Sequence, residues 1–404
     1  MNRLASIKIL LVIVSIAMFS CGDDETSIDG TTDGGEQTSA PGGAYIITGS
    51  ETSFTAAKGG KTVGTASQSI QTVIDAIRTH AAGGDVFIQF GDGTDVLDVG
   101  KANVTFSGSG WGTITLLGRI TSAVLSGTSA ASFTTGTILL DGGVSLNSKA
   151  DIENTNTTIG IAVHNRSTGT ANISGGAVSG VYFAVYNHST GEVNISGGAL
   201  SSTASAVYNW AGGKITVSEP TSTKTVISSR ASEGTICNFG ASSVLEITGG
   251  TITGGVYAIN NKRTGIVNIS GGNISTDNRY AVFNGGGGAV NISGGIISSA
   301  GNSSSGYGFA VWNYGAGEVN ISNGTLSSTR GISVLNESTG VVNISGGTVT
   351  TDNGRAVSNT STGEVNISDG TVSAINGGYA VYNFSTGIIT ITSPPAVITG
   401  NVYP

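Results

Sequence analysis

From about residue 161 the chain alternates apolar and polar residues in short bursts that restart roughly every 23 positions. In the burst AVYNHSTGEVNISGG, residues 184–198, Val193 and Ile195 fall on one side of an extended strand, and Glu192, Asn194 and Ser196 on the other. Each unit holds three extended pieces, here A-V-Y-N, E-V-N-I-S and A-L-S-S, separated by S-T-G and G-G turns. Helix is excluded by the β-branched content, by the recurrent Gly pairs and by a two-residue period that lasts only about five residues. A propeller blade would need four antiparallel strands and some forty residues.

Aligned on the first Asn of the motif, the units place Asn165, Asn187, Asn209, Asn238, Asn261, Asn284, Asn313, Asn336, Asn359 and Asn383 in one column. The intervals are 22, 22, 29, 23, 23, 29, 23, 23 and 24 residues, so extra length is confined to two units. Two residues before every one of these Asn stands a Val or Ile. The pattern predicts an all-β chain, a right-handed parallel β-helix solenoid with three short strands per rung of about 23 residues and about 13 rungs. Stacked at about 4.8 Å per rung, these would make a rod about 60 Å long. The Asn column is then expected to take the left-handed backbone at a bend and to pass amide hydrogen bonds from rung to rung. A second Asn column, Asn172, Asn194, Asn268, Asn291, Asn320, Asn343 and Asn366, is expected on the outward face.

Upstream, Ile70, Val73, Ile74 and Ile77 share one helical face, Ser67 or Ser69 can cap the start, and Gly83-Gly84 precede a strand. This predicts an amphipathic helix over 68–82 that covers the open first rung. Helix, Gly-Gly and strand together resemble the N-terminal cap of pectate-lyase-like parallel β-helices, a likeness of fold pattern spanning about 65–404. That family's enzymes cluster acids with a Lys or Arg on one outer sheet, and no such motif can be carried onto this chain. The expected organisation is a leader over 1–20, a tether over 21–43, a cap over 44–84, irregular rungs over 85–160 and regular repeats over 161–404.

The leader changes the expected location. Arg3 and Lys8 precede an apolar run from Ile9 to Phe19, too short to span a bilayer and shaped like a signal peptide. Met18-Phe19-Ser20-Cys21 resembles a bacterial lipobox, loose at the leucine position. The resemblance implies a lipid on Cys21, a membrane partner through that lipid, and an exported protein at the outer membrane or cell surface of a Gram-negative bacterium. Plain signal cleavage is the alternative. The acid-rich segment after Cys21 resembles the tethers of surface lipoproteins.

Only 10% of residues are charged and the formal net charge is −8, with no basic cluster, which argues against a nucleic-acid partner. The three His residues form no ligand spacing, so neither a metal nor a cofactor is expected. Cys237, inside a repeat, reads as a small apolar filler. Glu192 and Lys214 read as a cross-rung ion pair, and Glu318 and Glu364 lie in one column two rungs apart with Val341 between them. No catalytic residue is assigned.

The residues flanking the column Asn are often aromatic: Tyr186, His188, Tyr208, Trp210, Phe283, Trp312, Tyr314, Tyr382 and Phe384. Alternation places them on one outer ridge, where flat rings suit the apolar face of a saccharide. Mutual stacking that only stiffens the rod is the other reading. The two long intervals are expected as loops, within 219–233 and 299–308, leaving the rod on the same edge. The expected function is a non-catalytic, adhesin-like or glycan-contacting envelope protein whose partner is a glycan or a host or neighbour-cell surface. A polysaccharide lyase or glycoside hydrolase on the same scaffold is the alternative.

Overall fold

A computed structural model describes residues 41–127, 132–230, 232–301, 308–392 and 396–403. The leader, Cys21 and nearly all of the tether lie outside the described residues. Three antiparallel strands, β1 (Tyr45–Ser50), β2 (Ser53–Lys58) and β3 (Lys61–Ser67), come first. The helix α1 (Ile70–Ala81) follows. Ser69 caps α1 by accepting from the Thr72 N–H, and Ala82 ends it in the left-handed region at φ 49°. Ile70, Val73, Ile74 and Ile77 are all buried, as the periodicity requires. The strand β4 (Val86–Phe90) pairs in parallel with β1 and starts the coil. The antiparallel strands ahead of α1 are an addition to the expected cap.

Beyond β4 the chain is a parallel β-solenoid of about 13 turns. Three ladders run along it. In the first, Phe183–Asn187 pairs with Ser205–Asn209 so that Val185 meets Val207 and Asn187 meets Asn209, and the same register recurs rung after rung. In the second and third, Val193 meets Ile215 and Leu200 meets Ile227. Val185, Val193, Ile195 and Leu200 are each at most 1% exposed, so one rung supplies about four aliphatics to a continuous core. The second and third pieces run on as a single bent strand, as in Glu192–Ser202, with a register shift at the Gly pair.

The Asn column is a buried amide ladder. Asn165 Nδ2 donates to Asn187 Oδ1 at 2.8 Å, and seven further links of 2.9 to 3.2 Å carry it to Asn359. From Asn187 onward each Nδ2 also donates within its own rung, for example from Asn284 to the Gly288 carbonyl at 3.0 Å. The expectation of left-handed backbone at these residues is wrong: among described non-glycine residues only Ala82 and Asn376 have positive φ. The glycines take the left-handed positions, as at Gly198 (φ 88°), so Asn serves the column as a hydrogen-bonding side chain. The outward Asn column runs its ladder the other way, Asn194 donating to Asn172 and Asn343 to Asn320, both at 2.9 Å. The amide dipoles of the two columns therefore oppose each other.

The long intervals leave from different edges, not from one. In the first, register places Ile227 over Leu200, so five extra residues lie between the second and third strands and two more precede Asn238. The third strand of that rung, Thr225–Ser229, sits inside the stretch expected as loop, because Thr225 and Ile227 are buried in the ladder. In the second interval the extra length falls between the third strand and the next first strand, and 302–307 lie outside the described residues.

Candidate functional site

The outward side of the first ladder carries the aromatic residues. Ala184 and Val185 both face the core, which breaks the two-residue alternation and turns Phe183 and Tyr186 to the same outer side. Each rung therefore shows three outward positions, at four and one before the column Asn and one after it. The sequence reading found the last two and missed the first, which holds Ile161, Phe183, Tyr257, Tyr280, Phe309, Ile332 and Tyr379. Recurrence of a large apolar residue four before the Asn was the available signal.

The nine rings named from sequence divide into three clusters with different exposure. Tyr186 and Tyr208 are buried with Phe133, Ile161, Phe183 and Cys237 in a small apolar cluster of their own, so they are no part of an open ridge. His188 stacks on Tyr186 at 5.1 Å. Phe283 and Trp312 pack edge to face at 4.9 Å among Tyr257, Tyr280 and Phe309, and Trp312 Nε1 donates to Glu337 at 2.7 Å. Tyr382 lies under the Arg355 guanidinium at 3.7 Å and stacks on Tyr403. What remains open is Trp210, Tyr314 and Phe384, exposed by 36%, 51% and 69%, and all three stand in the column after the Asn. Trp210 lies flat on Phe239, with centroids 4.5 Å apart and planes 3° from parallel.

Beside Trp210 the surface opens into a cleft of about 360 Å³, lined by Phe133, Tyr182, Phe183, Ala204, Ser205, Tyr208, Trp210 and Glu233. Ser205 is fully buried and its hydroxyl has no hydrogen-bond partner. Glu233 pairs with Lys262 at 2.7 Å. A second cleft of about 400 Å³ lies between Ile332, Arg355 and Tyr379, bordered by Asn353, Asn376 and glycines.

The acids stay dispersed. Glu192 and Lys214 are register neighbours but form no ion pair, so the expected cross-rung bridge is absent among the described residues. Glu318 and Glu364 do sit either side of Val341, and Glu318 accepts from Asn343 at 2.9 Å, which ties it to the outward amide ladder. Among the described residues no three His, Cys, Asp or Glu side chains gather as a metal site. Cys237 is buried, and burial pushes its thiol up to about 12, so it presents no thiolate near neutral pH.

His164 is the group most shifted toward acid. Burial, reinforced by neighbouring His188 and Arg166, holds its pKa down at about 3 against an ordinary 6.5, while its Nδ1 donates to the Thr135 carbonyl at 3.2 Å. The unfolded chain takes up this proton as pH falls through about 6.5, and the folded chain only near 3. The associated stability is full above pH 6.5 and is lost progressively down to about 3. The thermal midpoint is expected to fall between pH 7 and pH 4, and to fall less in His164→Leu, the residue that Leu335 supplies in the same column. An equal fall in both proteins would assign the acid sensitivity elsewhere.

Comparisons with protein-family models, with curated proteins and with solved structures found no match to this chain.

Proposed function

We propose that this protein is a non-catalytic, glycan-contacting envelope lipoprotein, exported and anchored through a lipid on Cys21, that presents its solenoid to a host or neighbouring cell surface. The observation that carries the reading is the single column of open rings. Trp210 and Tyr314 are four rungs apart and Tyr314 and Phe384 three, or about 19 Å and about 14 Å at about 4.8 Å per rung. Neighbouring rings pack against them, Phe239 on Trp210, Phe283 and Trp312 on Tyr314 and Tyr382 on Phe384, so little side-chain entropy is lost when a saccharide's apolar face stacks on them. Three weak platforms on one rigid support add by effective concentration, which suits a polymeric or clustered ligand. The dispersal of the acids supports binding over turnover, Glu318 and Glu364 standing in one column with Val341 between them.

The test is a glycan panel probed with the compact unit Gln37–Pro404, run beside assays for reducing ends and unsaturated products. Binding without product is expected. The triple variant Trp210→Ala/Tyr314→Ala/Phe384→Ala should lose more than tenfold in apparent affinity for polymeric ligands while keeping the wild-type thermal midpoint. Product formation, or binding that survives the triple variant, overturns the reading.

A further inference from the structure

Along the outward column four before the Asn, rings occupy the positions on both sides of a two-rung gap. Phe183 pairs in register with Ser205, Gly234 takes the next rung, and Tyr257 follows. Every other described rung from Asn165 to Asn383 puts Ile, Phe, Tyr or Arg there. At Gly234 the space is taken, since a Cβ there would stand 2.9 Å from Asn260 Cβ, so the open notch lies at the Ser205 rung, and this is the cleft beside Trp210. Its volume of about 360 Å³ lies in the range of small-molecule sites.

We propose that this notch is a binding site for one neutral, hydroxyl-rich pyranose residue of a saccharide, with Trp210 as its stacking platform and Ser205 and Glu233 as its polar anchors. The assignment rests on the glycan reading above and goes beyond it by fixing the place and the charge class of the ligand. Three independent observations converge on it.

First, the Ser205 hydroxyl is fully buried in the wall of the notch with no partner. A buried hydroxyl without a hydrogen bond costs about 1–3 kcal/mol, and a ligand hydroxyl seated in the notch supplies the missing bond. Second, the interval before Asn238 is longer than the regular one by two residues, which bring Glu233 to the rim. Lys262 holds that carboxylate at 2.7 Å and offsets its charge, while Asn260 Nδ2 donates to the Glu233 carbonyl at 2.6 Å. The remaining carboxylate lone pairs are free to accept from two vicinal hydroxyls. Third, Trp210 is immobilised face to face on Phe239, and Phe239 carries the Arg263 guanidinium 4.4 Å from its centroid. The platform is therefore rigid before ligand arrives.

The charge class follows from the same groups. With Glu233 and Lys262 paired, the lining of the notch offers no cation to a uronate, since Arg263 lies over Phe239 outside that lining, and an anionic sugar would meet the Glu233 carboxylate.

The experiment is calorimetric titration of the full chain with maltotetraose, cellotetraose, mannotetraose and tetragalacturonate. At least one neutral tetraose is expected to bind, and tetragalacturonate to bind at least tenfold more weakly. Ser205→Phe places a ring in the notch beside Phe183, so it should abolish binding, and the thermal midpoint checks that the variant is folded. Ser205→Ala and Trp210→Ala should each weaken binding about tenfold. Binding of a neutral tetraose that survives Ser205→Phe overturns the site and leaves the wider glycan reading standing. Tighter binding of tetragalacturonate overturns the charge class. Failure of all four probes on the wild type overturns the assignment, and the glycan panel then decides the wider reading separately.

Discussion

Asn284→Ala is expected to cost about 3 kcal/mol or more, among the largest effects of any side-chain truncation outside the apolar core. Asn284 is fully buried and makes three links: it accepts from Asn261 at 2.9 Å and donates to Asn313 at 2.9 Å and to the Gly288 carbonyl at 3.0 Å. Alanine leaves a donor on Asn261 and acceptors on Asn313 and Gly288 buried without that bond, which is the costly way to lose a hydrogen bond. Asn284→Asp should be worse still, since an oxygen would then face the two acceptors that Nδ2 now serves, inside the rod. Asn291→Ala is the internal comparison. Asn291 belongs to the half-buried outward ladder, where water replaces a lost partner, and should cost about 1 kcal/mol. Because each rung touches only its neighbours, amide hydrogen exchange should localise the weakening to the rungs of Asn261, Asn284 and Asn313, alongside the shift in the urea midpoint. Equal costs for Asn284→Ala and Asn291→Ala would show that burial does not set the value of these ladders.

Much of the fold was legible because the repeat states its rules many times. A Val or Ile two before each column Asn and the V-N-I alternation of the second strand both became core, since a side chain that repeats in register can only stack on itself. The single-copy parts were less legible. β1 to β3 bury only Tyr45, Ile47, Phe54, Ala56 and Val63 among their residues, too sparse an alternation to announce three strands. The rung with Thr225–Ser229 was misplaced because length alone marks an insertion without showing on which side of a strand it falls.

The aromatic face was half legible for one local reason. A strict two-residue alternation assigns Ala184 and Val185 to opposite sides, yet both face the core, so Phe183 shares the outer side with Tyr186. The rings were readable as a set, but not the division among them. Whether a ring is buried like Tyr186 or open like Phe384 depends on what neighbouring rungs place beside it, and Phe133, from the irregular segment, is what closes over Tyr186 at 5.1 Å.

The same stacking makes one glycine per rung indispensable, and Gly340→Ala should cost about 3 kcal/mol. Gly340 lies four residues after Asn336, and its carbonyl accepts from Asn336 Nδ2 at 2.9 Å. A Cβ there would stand 2.4 Å from Asn313 Nδ2 and 2.4 Å from the Gly317 carbonyl oxygen of the preceding rung. Gly213, Gly265, Gly288, Gly317, Gly363 and Gly387 occupy the same place, and a Cβ on each would stand 2.2 to 2.7 Å from the preceding column amide. None of them has positive φ, so close approach, not backbone freedom, is what demands glycine. The amide ladder and the glycine column are thus one device: the buried Asn needs space that only an absent side chain leaves. Ser243 is the natural exception, and there the turn after Asn238 is one residue longer, with Ser243 taking the acceptor role at 3.2 Å. Gly287→Ala, in the equivalent turn two rungs earlier, gives the comparison, since its Cβ would meet nothing nearer than Thr264 Cγ2 at 3.7 Å, and it should be neutral or stabilising by up to about 1 kcal/mol. Thermal and urea unfolding of the two variants separates the cases. If Gly340→Ala were tolerated as well as Gly287→Ala, the rungs would have slack at the amide column, and the ladder could not be the rigid element that holds Trp210, Tyr314 and Phe384 in line.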